Sequence, residues 1–557
     1  MAKAVELYDS TDGNIEINPA LASLVFVAGA SNDKLLLHKY LPEYFKLLQY
    51  EMSERIKPLT SSERTAFVAG KLGQGLWQIP ELGKWFPNDS LCSSYSYNSV
   101  LLEKYALLDM EKEDRRYAIN DSIVQLQSMI IKGQDERQNY RNSILLKDKR
   151  RRIKFENKEK ITQSKLNNWK DVQAKLADND VAIEFVTYPV NTWYWCEDSI
   201  SIRYSAIVIR KTDKYPQFVD LCDESEILNI FNLQPKSYNH ETAMSPYNII
   251  WEKLEPYINT HGHIFYSPQG LLALINIEAF IDNNGIPIGE KYNMYRLSTT
   301  RKIGEYSDKL QIDNIAIFGG IKYSCEDINN VDNVLNVLNT RGNLSFLKNT
   351  EKEADEINRE ISKSNKKAFV FKGTNGTENE FKKLSSKPIN VIHMATHGFY
   401  VPQSKQNSIP FYKNNKSFFK EEPLFYSGLL MANSCETWNK EGNSNIADDG
   451  ILLSFEIAQQ NLENVDMVVL SACETGLGWY SIDSMHGLQS AFKIAGVQTI
   501  VMSLWKIDDY ATALMMTTFY KELLKTRSKH EAFKEAQRVL REKYEDPYYW
   551  ASFIMLD

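Results

Sequence analysis

Apolar positions recur at helical spacing in the first part of the chain and crowd into short strand-like runs after it. In "LHKYLPEYFKLLQYEM" (Leu37–Met52) and "YNSVLLEKYALLDMEKEDRRYAI" (Tyr97–Ile119) they return every three or four residues, as on one face of a helix. From Ser122 to Leu176 the chain is charged, lacks proline and almost lacks glycine, which predicts one or two extended helices folded as a hairpin. No clean repeat period emerges there.

At Asp178 the pattern changes. "VAIEFVTYPV" (Val181–Val190) and "YSAIVIRK" (Tyr204–Lys211) are β-branched and aromatic, as strands are. "GHIFYSPQGLL" (Gly262–Leu272) reads as a strand and a turn. From about residue 310 strands and helices alternate. Strands are predicted at Asn314–Gly320, Lys367–Gly373, Ile389–Gly398, Val465–Cys473 and Val497–Trp505. Helices are predicted at Thr350–Ser362, Thr377–Leu384, Gly450–Gln460 and Ser484–Gly496, then near Tyr510–Lys525 and His530–Lys543. Continuously apolar strands alternating with helices mean a parallel-rich sheet covered on both faces. The expected fold class is therefore α/β, preceded by an all-α helical region over residues 1–176.

Composition adds little direction. The 557 residues allow three or four folding units, and a net charge of −7 gives no global pull toward nucleic acid. The basic run "KDKRRRIKFENKEK" (Lys147–Lys160) is interleaved with acids and reads as a solvated helix face. No apolar stretch is long enough to span a bilayer, and the start of the chain has no apolar signal core, so neither membrane nor export is expected. The six cysteines form no C-x-x-C pair, which suggests scattered thiols in a reducing cytoplasm.

In open α/β sheets, sites form beyond the carboxyl ends of the strands. One predicted strand ends in Thr396-His397-Gly398, another in Ala472-Cys473-Glu474-Thr475-Gly476, and a third in Leu504-Trp505 followed by Asp508 and Asp509. Cys473 and His397 can form a nucleophile and acid–base pair, since imidazolium stabilises a neighbouring thiolate. The backbone N–H groups of Gly398 and Cys473 are then candidates for an oxyanion hole. The competing reading is that both side chains are ordinary core residues. Cys435 stands in Ser434-Cys435-Glu436-Thr437, which shares Cys-Glu-Thr with Cys473, but is read as a loop residue, and "THGH" (Thr260–His263) precedes its strand and so lies at the amino end of the sheet. His393 lies four residues before His397, but no third metal ligand stands at motif spacing, so no metal is expected and His393 reads as a core histidine. Trp505 either walls a pocket or covers the sheet edge. Asp508, Asp509 and Asp449 are either helix caps or pocket lining.

"VIHMATHGF", "GILLSFEIAQQNLENVDMVVLSACETGLG", "GLQSAFKIAGVQTIVMSLWKIDDYAT" and "DPYYWASFIM" together resemble the CHAT domain, a caspase-like family found with tetratricopeptide repeats. Weaker similarity reaches back to Asp178. The resemblance implies a smaller amino-terminal lobe at 177–310 and a caspase-like catalytic lobe at 311–557. It implies that His397 and Cys473 are the dyad of a cysteine endopeptidase, and that Trp505 and Asp508 help shape the substrate pocket. His486 stands where the family often has glutamate, and it is given no catalytic role. The resemblance also implies a protein substrate, no cofactor, and an activator or inhibitor bound through the helical region. A bacterial stress, cell-death or antiviral role fits the family. The alternatives are a catalytically silent scaffold and an amidase using the same dyad.

Overall fold

The computed structural model describes residues 17–52, 73–104, 168–190, 201–232, 245–305, 307–323, 347–400, 423–439, 448–471, 487–505 and 508–557, with residues 64, 67, 112 and 145 singly. Most of the predicted hairpin at Ser122–Leu176 and the basic run at Lys147–Lys160 lie outside the described residues.

The helical region contains α1 (Ile17–Ala30), α2 (Lys34–Glu51), α3 (Gly73–Trp85) and α4 (Ser90–Lys104). The Asp33 carboxylate caps α2 by accepting the Leu36 N–H at 3.0 Å. Leu37, Leu41 and Leu48 of α2 pack with Leu24 and Val25 of α1 and Leu82 of α3, the stripe that the helical spacing anticipates. A short helix, α5 (Trp169–Lys175), closes this part and carries a capping box between Asn168 and Asp171.

Next comes a five-stranded sheet in the order β3-β2-β1-β4-β5. Its strands are β1 (Val181–Val190), β2 (Ser201–Arg210), β3 (Gln217–Asp223), β4 (His263–Ser267) and β5 (Asn293–Arg296), with α6 (Glu224–Asn232) after β3. β1 runs antiparallel to β2 and parallel to β4. Strand alternation sends Val181, Ile183 and Phe185 to the large core shared with the second sheet. It sends Ala182, Val186 and Tyr188 to the other face, against Tyr97, Val100 and Leu101 of α4.

That second face carries a charge. Glu184 of β1 is fully buried and meets Lys104, the last residue of α4, at 2.6 Å. Lys104 also donates to the Ser267 hydroxyl at 2.5 Å, and Glu184 accepts the Thr300 N–H and hydroxyl at 2.7 Å each. The pair ties the helical region to the sheet with its lone pairs and protons occupied, the condition under which a buried ion pair is tolerated.

The second sheet has six strands in the order β14-β13-β12-β8-β6-β7. These are β6 (Asn314–Ile321), β7 (Lys367–Gly373), β8 (Val391–Met394), β12 (Met467–Leu470), β13 (Thr499–Ser503) and β14 (Phe553–Leu556). All pairings are parallel except that of β13 with β14. Ile315, Val391, Val469 and Val501 face one core with helices α7 (Lys348–Lys363), α12 (Asp509–Thr526) and α13 (Lys529–Lys543). Ala316, Ile392, Val468 and Met502 face the other with α8 (Glu378–Lys382), α10 (Ser454–Ala458) and α11 (Leu488–Ala495). Both faces are covered, as the unbroken apolar runs require.

A small antiparallel sheet of β9 (Gly398–Tyr400), β10 (Ser427–Leu430) and β11 (Ile451–Leu453) stands beside it. This corrects two expectations. The predicted helix at Gly450–Gln460 is instead β11 followed by the five-residue α10. Ile451-Leu452-Leu453 is a short apolar run whose type periodicity cannot decide, and pairing with β10 decides it. Cys435 lies in α9 (Ser434–Asn439) rather than a loop, because Asn433 at φ 68° turns the chain sharply after β10. Cys435 is also disulfide-bonded. Among the described residues, no helix is long and apolar enough to cross a membrane.

Replacing Lys104 by Met strands the Glu184 charge in the interior, with an expected loss of about 3–5 kcal/mol of stability. The double variant Lys104→Met/Glu184→Gln should recover a large part of that. Urea denaturation of the three proteins checks it, and equal stability of wild type and Lys104→Met would contradict the role of the pair.

Candidate functional site

β8 runs between β12 and β6, parallel to both, with Met394 opposite Leu470 on one side and Phe318 on the other. The carboxyl ends of three strands therefore share one edge of the sheet. The exits are tied together: Ala395 N–H donates to the Phe318 carbonyl at 2.8 Å, and Ser471 N–H to the Met394 carbonyl at 2.9 Å. A crevice at such an edge is where an open α/β sheet places its chemistry.

His397 sits three residues beyond Met394, half-buried. Its carbonyl accepts the Leu430 N–H of β10 at 2.8 Å, and its own N–H donates to the Tyr323 hydroxyl at 3.3 Å. The two rings lie 5.1 Å apart at 48°. Tyr323 follows β6 and is bonded to the Thr396 hydroxyl at 2.9 Å. Thr396 gives its single proton to the Leu430 carbonyl, so Tyr323 must donate to Thr396. This orients both hydroxyls and holds the backbone of His397. Tyr323 is the residue that sequence reading missed. Its signal in the sequence is the exit of the strand at Asn314–Gly320, which is central in the sheet.

Gly398 opens β9 opposite Leu429. The Leu430-to-His397 bond brackets Gly398 and Leu429 as a pair that exchanges no backbone bonds. The Gly398 N–H therefore points away from β10, toward the side of β9 that carries no strand among the described residues. Cys473, and with it His486, lies outside the described residues.

Asp449 is half-buried beside β11. Its carboxylate accepts the Ile451 N–H at 2.9 Å, its N–H donates to Glu378 at 3.2 Å, and its carbonyl accepts the Thr437 hydroxyl at 2.7 Å. Glu378 in turn is paired with Lys382, which also reaches Glu456 at 2.8 Å. Burial pushes the Glu378 carboxyl upward, and the neighbouring Glu456 adds to the effect. Asp508 is exposed and caps α12, accepting the N–H groups of Tyr510 and Ala511 at 2.9 and 3.1 Å. The Trp505 indole donates to the Tyr548 carbonyl at 3.0 Å and packs against both cores of the six-stranded sheet. Asp509 begins α12.

The decoys separate cleanly. His393 is fully buried on the opposite face, with Nδ1 3.3 Å from the Tyr520 hydroxyl. Its Nε2 lies 3.0 Å from Glu353 without the alignment of a hydrogen bond. β8 ends at Met394, so the strand alternation that would align His393 with His397 does not reach His397. His263 opens β4, in the five-stranded sheet and not in the one that carries His397. Cys435 is buried, and its N–H donates to the Tyr323 carbonyl at 3.1 Å, which makes it part of the scaffold under the strap.

A family model described as the CHAT domain matches residues 241–556. Tetratricopeptide repeat protein 28 of Mus musculus is 28% identical over 95 residues, which are 17% of this chain and 4% of that protein. The protein of the same name from Homo sapiens is 29% identical over 94 residues, again 4% of its length. The chain thus matches only a small part of these relatives. Among solved structures, the Saccharomyces cerevisiae separase–securin complex aligns with a TM-score of 0.45 and 10% identity, over 92% of this chain and 37% of that one. The Arg-specific cysteine proteinase gingipain R aligns with a TM-score of 0.34 and 9% identity, over 60% of this chain and 74% of that one.

Tyr323→Phe removes one hydroxyl that serves two partners. Leaving the His397 N–H unpaired in a part-buried site should cost about 1–3 kcal/mol. Urea denaturation reads the loss, and a variant as stable as wild type would contradict the strap.

Proposed function

This chain belongs to the CHAT domain family, and from that premise we propose that it is a cysteine endopeptidase using Cys473 and His397 on a protein substrate. The observation that carries the reading is the pairing of β8 with β12, which sets Met394 opposite Leu470. His397 is three residues beyond Met394, and Cys473 is three residues beyond Leu470. Three residues reach at most about 11 Å, so two such exits from adjacent strands can bring a thiol and an imidazole together.

The chemistry follows from the groups. The thiolate of Cys473 attacks the scissile carbonyl, forming a C–S bond while the carbonyl electron pair moves to oxygen. The Gly398 and Cys473 N–H groups stabilise that oxyanion. Collapse breaks the C–N bond, and imidazolium of His397 protonates the leaving amine. Neutral His397 then takes a proton from water, which attacks the thioester and releases the acid and the thiolate. Tyr323 is a positioning residue in this scheme, since it touches the His397 backbone and ring rather than the substrate. Asp449, Trp505 and Asp508 border the substrate pocket, with Asp508 also capping its helix. The helical region recruits the protein substrate or an activator, and residues 177–310 and 311–557 act as the smaller and the catalytic lobe.

Acyloxymethylketone probes with basic, acidic and apolar recognition residues test this on the full chain. Labelling should map to Cys473, fall at least about 10³-fold in Cys473→Ala and His397→Ala, and persist in Cys435→Ala. Undiminished substrate cleavage by Cys473→Ala would overturn the reading.

A further inference from the structure

Two buried carboxylates stand where the helical region meets the five-stranded sheet. One is Glu184 of β1, whose charge Lys104 of α4 balances at 2.6 Å. The other is Glu81 of α3, which is 3% exposed and whose Oε2 atom has no hydrogen-bond partner among the described residues. An ionised carboxylate held out of water is costly unless it is closely paired. Glu81 lacks the close pairing that makes Glu184 tolerable.

The packing leaves little room for water to relieve it. α3 lies against α4, β1 and β3. A side chain at Gly83, two residues beyond Glu81, would meet Phe218 of β3 at 2.5 Å and the Ser96 hydroxyl of α4 at 2.8 Å. Leu48 and the Tyr44 hydroxyl of α2 close on Gly75 in the same way. The charged and titratable groups on these elements are mostly engaged with one another. On α4, Glu103 accepts the Trp77 indole N–H at 3.1 Å, and Lys104 holds Glu184. On the sheet, the Tyr188 hydroxyl of β1 is bonded to Ser205 at 2.9 Å, and Arg203 of β2 is divided between Asp220 and Asp223 of β3 at 2.6 and 2.9 Å. α1 carries no titratable side chain. Lys84 on α3 itself and Tyr188 across the contact are the groups whose charge states couple to that of Glu81. The Glu81 carboxyl is pushed up from 4.5 to about 7, by burial first, with Lys84 opposing the shift.

We propose that the seat of α3 on the five-stranded sheet is a pH-sensitive contact, closed while Glu81 is a neutral acid and loosened when it ionises. When α3 lifts, Glu81 reaches water and returns to an ordinary carboxylate value. The seated form therefore binds the proton more tightly than the lifted form. Acid favours the seated form, and the advantage is lost as pH rises from 4.5 to about 7. Above that, both forms are ionised and the dependence levels off. The helical region is thus held against the sheet in a mildly acidic medium and released toward a partner in a neutral one. The device rests on the fold alone, so it stands or falls separately from the proteolytic reading.

Amide hydrogen exchange of the full chain tests this, read by mass spectrometry and expressed as protection relative to the unstructured chain at each pH. Between about pH 5 and 7.5, protection of the α3 amides should fall about 50-fold in wild type. It should stay nearly flat in Glu81→Gln, which keeps the shape of the neutral acid. Glu43→Gln, at an exposed carboxylate of α2, should follow wild type. The amides of β12 and β13 should have the same slope in wild type and Glu81→Gln. Parallel α3 profiles in wild type and Glu81→Gln would overturn the proposal. So would a Glu81-dependent slope of equal size at β12 and β13, because Glu81 would then govern global stability rather than one contact.

Discussion

The parallel pairing of β8 with its neighbours is the constraint on which the rest depends. A strand buried on both faces and hydrogen-bonded on both edges has one register, because a one-residue slip would exchange Ile392 and Met394 with His393 between two different cores. That fixes where β8 stops, and so where Thr396, His397 and Gly398 leave the sheet. The polar group inside the strand, His393, is tolerated because Tyr520 of α12 meets it from the facing helix. The same pairing ties the exit of β12 to Met394 through Ser471.

Around that fixed edge, the loops are held by side chains as well as by the small sheet of β9, β10 and β11. Tyr323 straps the exit of β8 to the exit of β6, and Cys435 supports the carbonyl of Tyr323 from α9. Asp449 performs a similar service at β11 through Glu378 and Thr437. Polar straps of this kind are dispensable to the fold class and decisive for the position of one imidazole. They place the rigidity where covalent chemistry would need it, since a near-attack geometry tolerates little displacement.

Much of the architecture was legible in the chain. The unbroken apolar runs at Ile315–Phe318 and Val468–Leu470 announce strands covered on both faces, and the Thr377 and Asp508 caps mark where helices begin. His397 and Gly398 could be singled out because they end a predicted strand. What the sequence hid has a physical cause in each case. Ile451–Leu453 is strand because β10 offers it partners, and local composition carries no record of β10. Cys435 is a helix residue because of a left-handed turn at Asn433, a residue type enriched in that conformation but adopting it only occasionally. Tyr323 contacts His397 across 74 positions of sequence, and only the folded sheet brings them together.

The central claim is that the ends of β8 and β12 bring an imidazole to a thiol. The rate of Cys473 alkylation by iodoacetamide as a function of pH, in wild type and in His397→Ala, tests it most directly. The account predicts an inflection well below the ordinary thiol value of about 8.5 in wild type, returning toward that value when His397 is removed. Coincident profiles in the two proteins would contradict it.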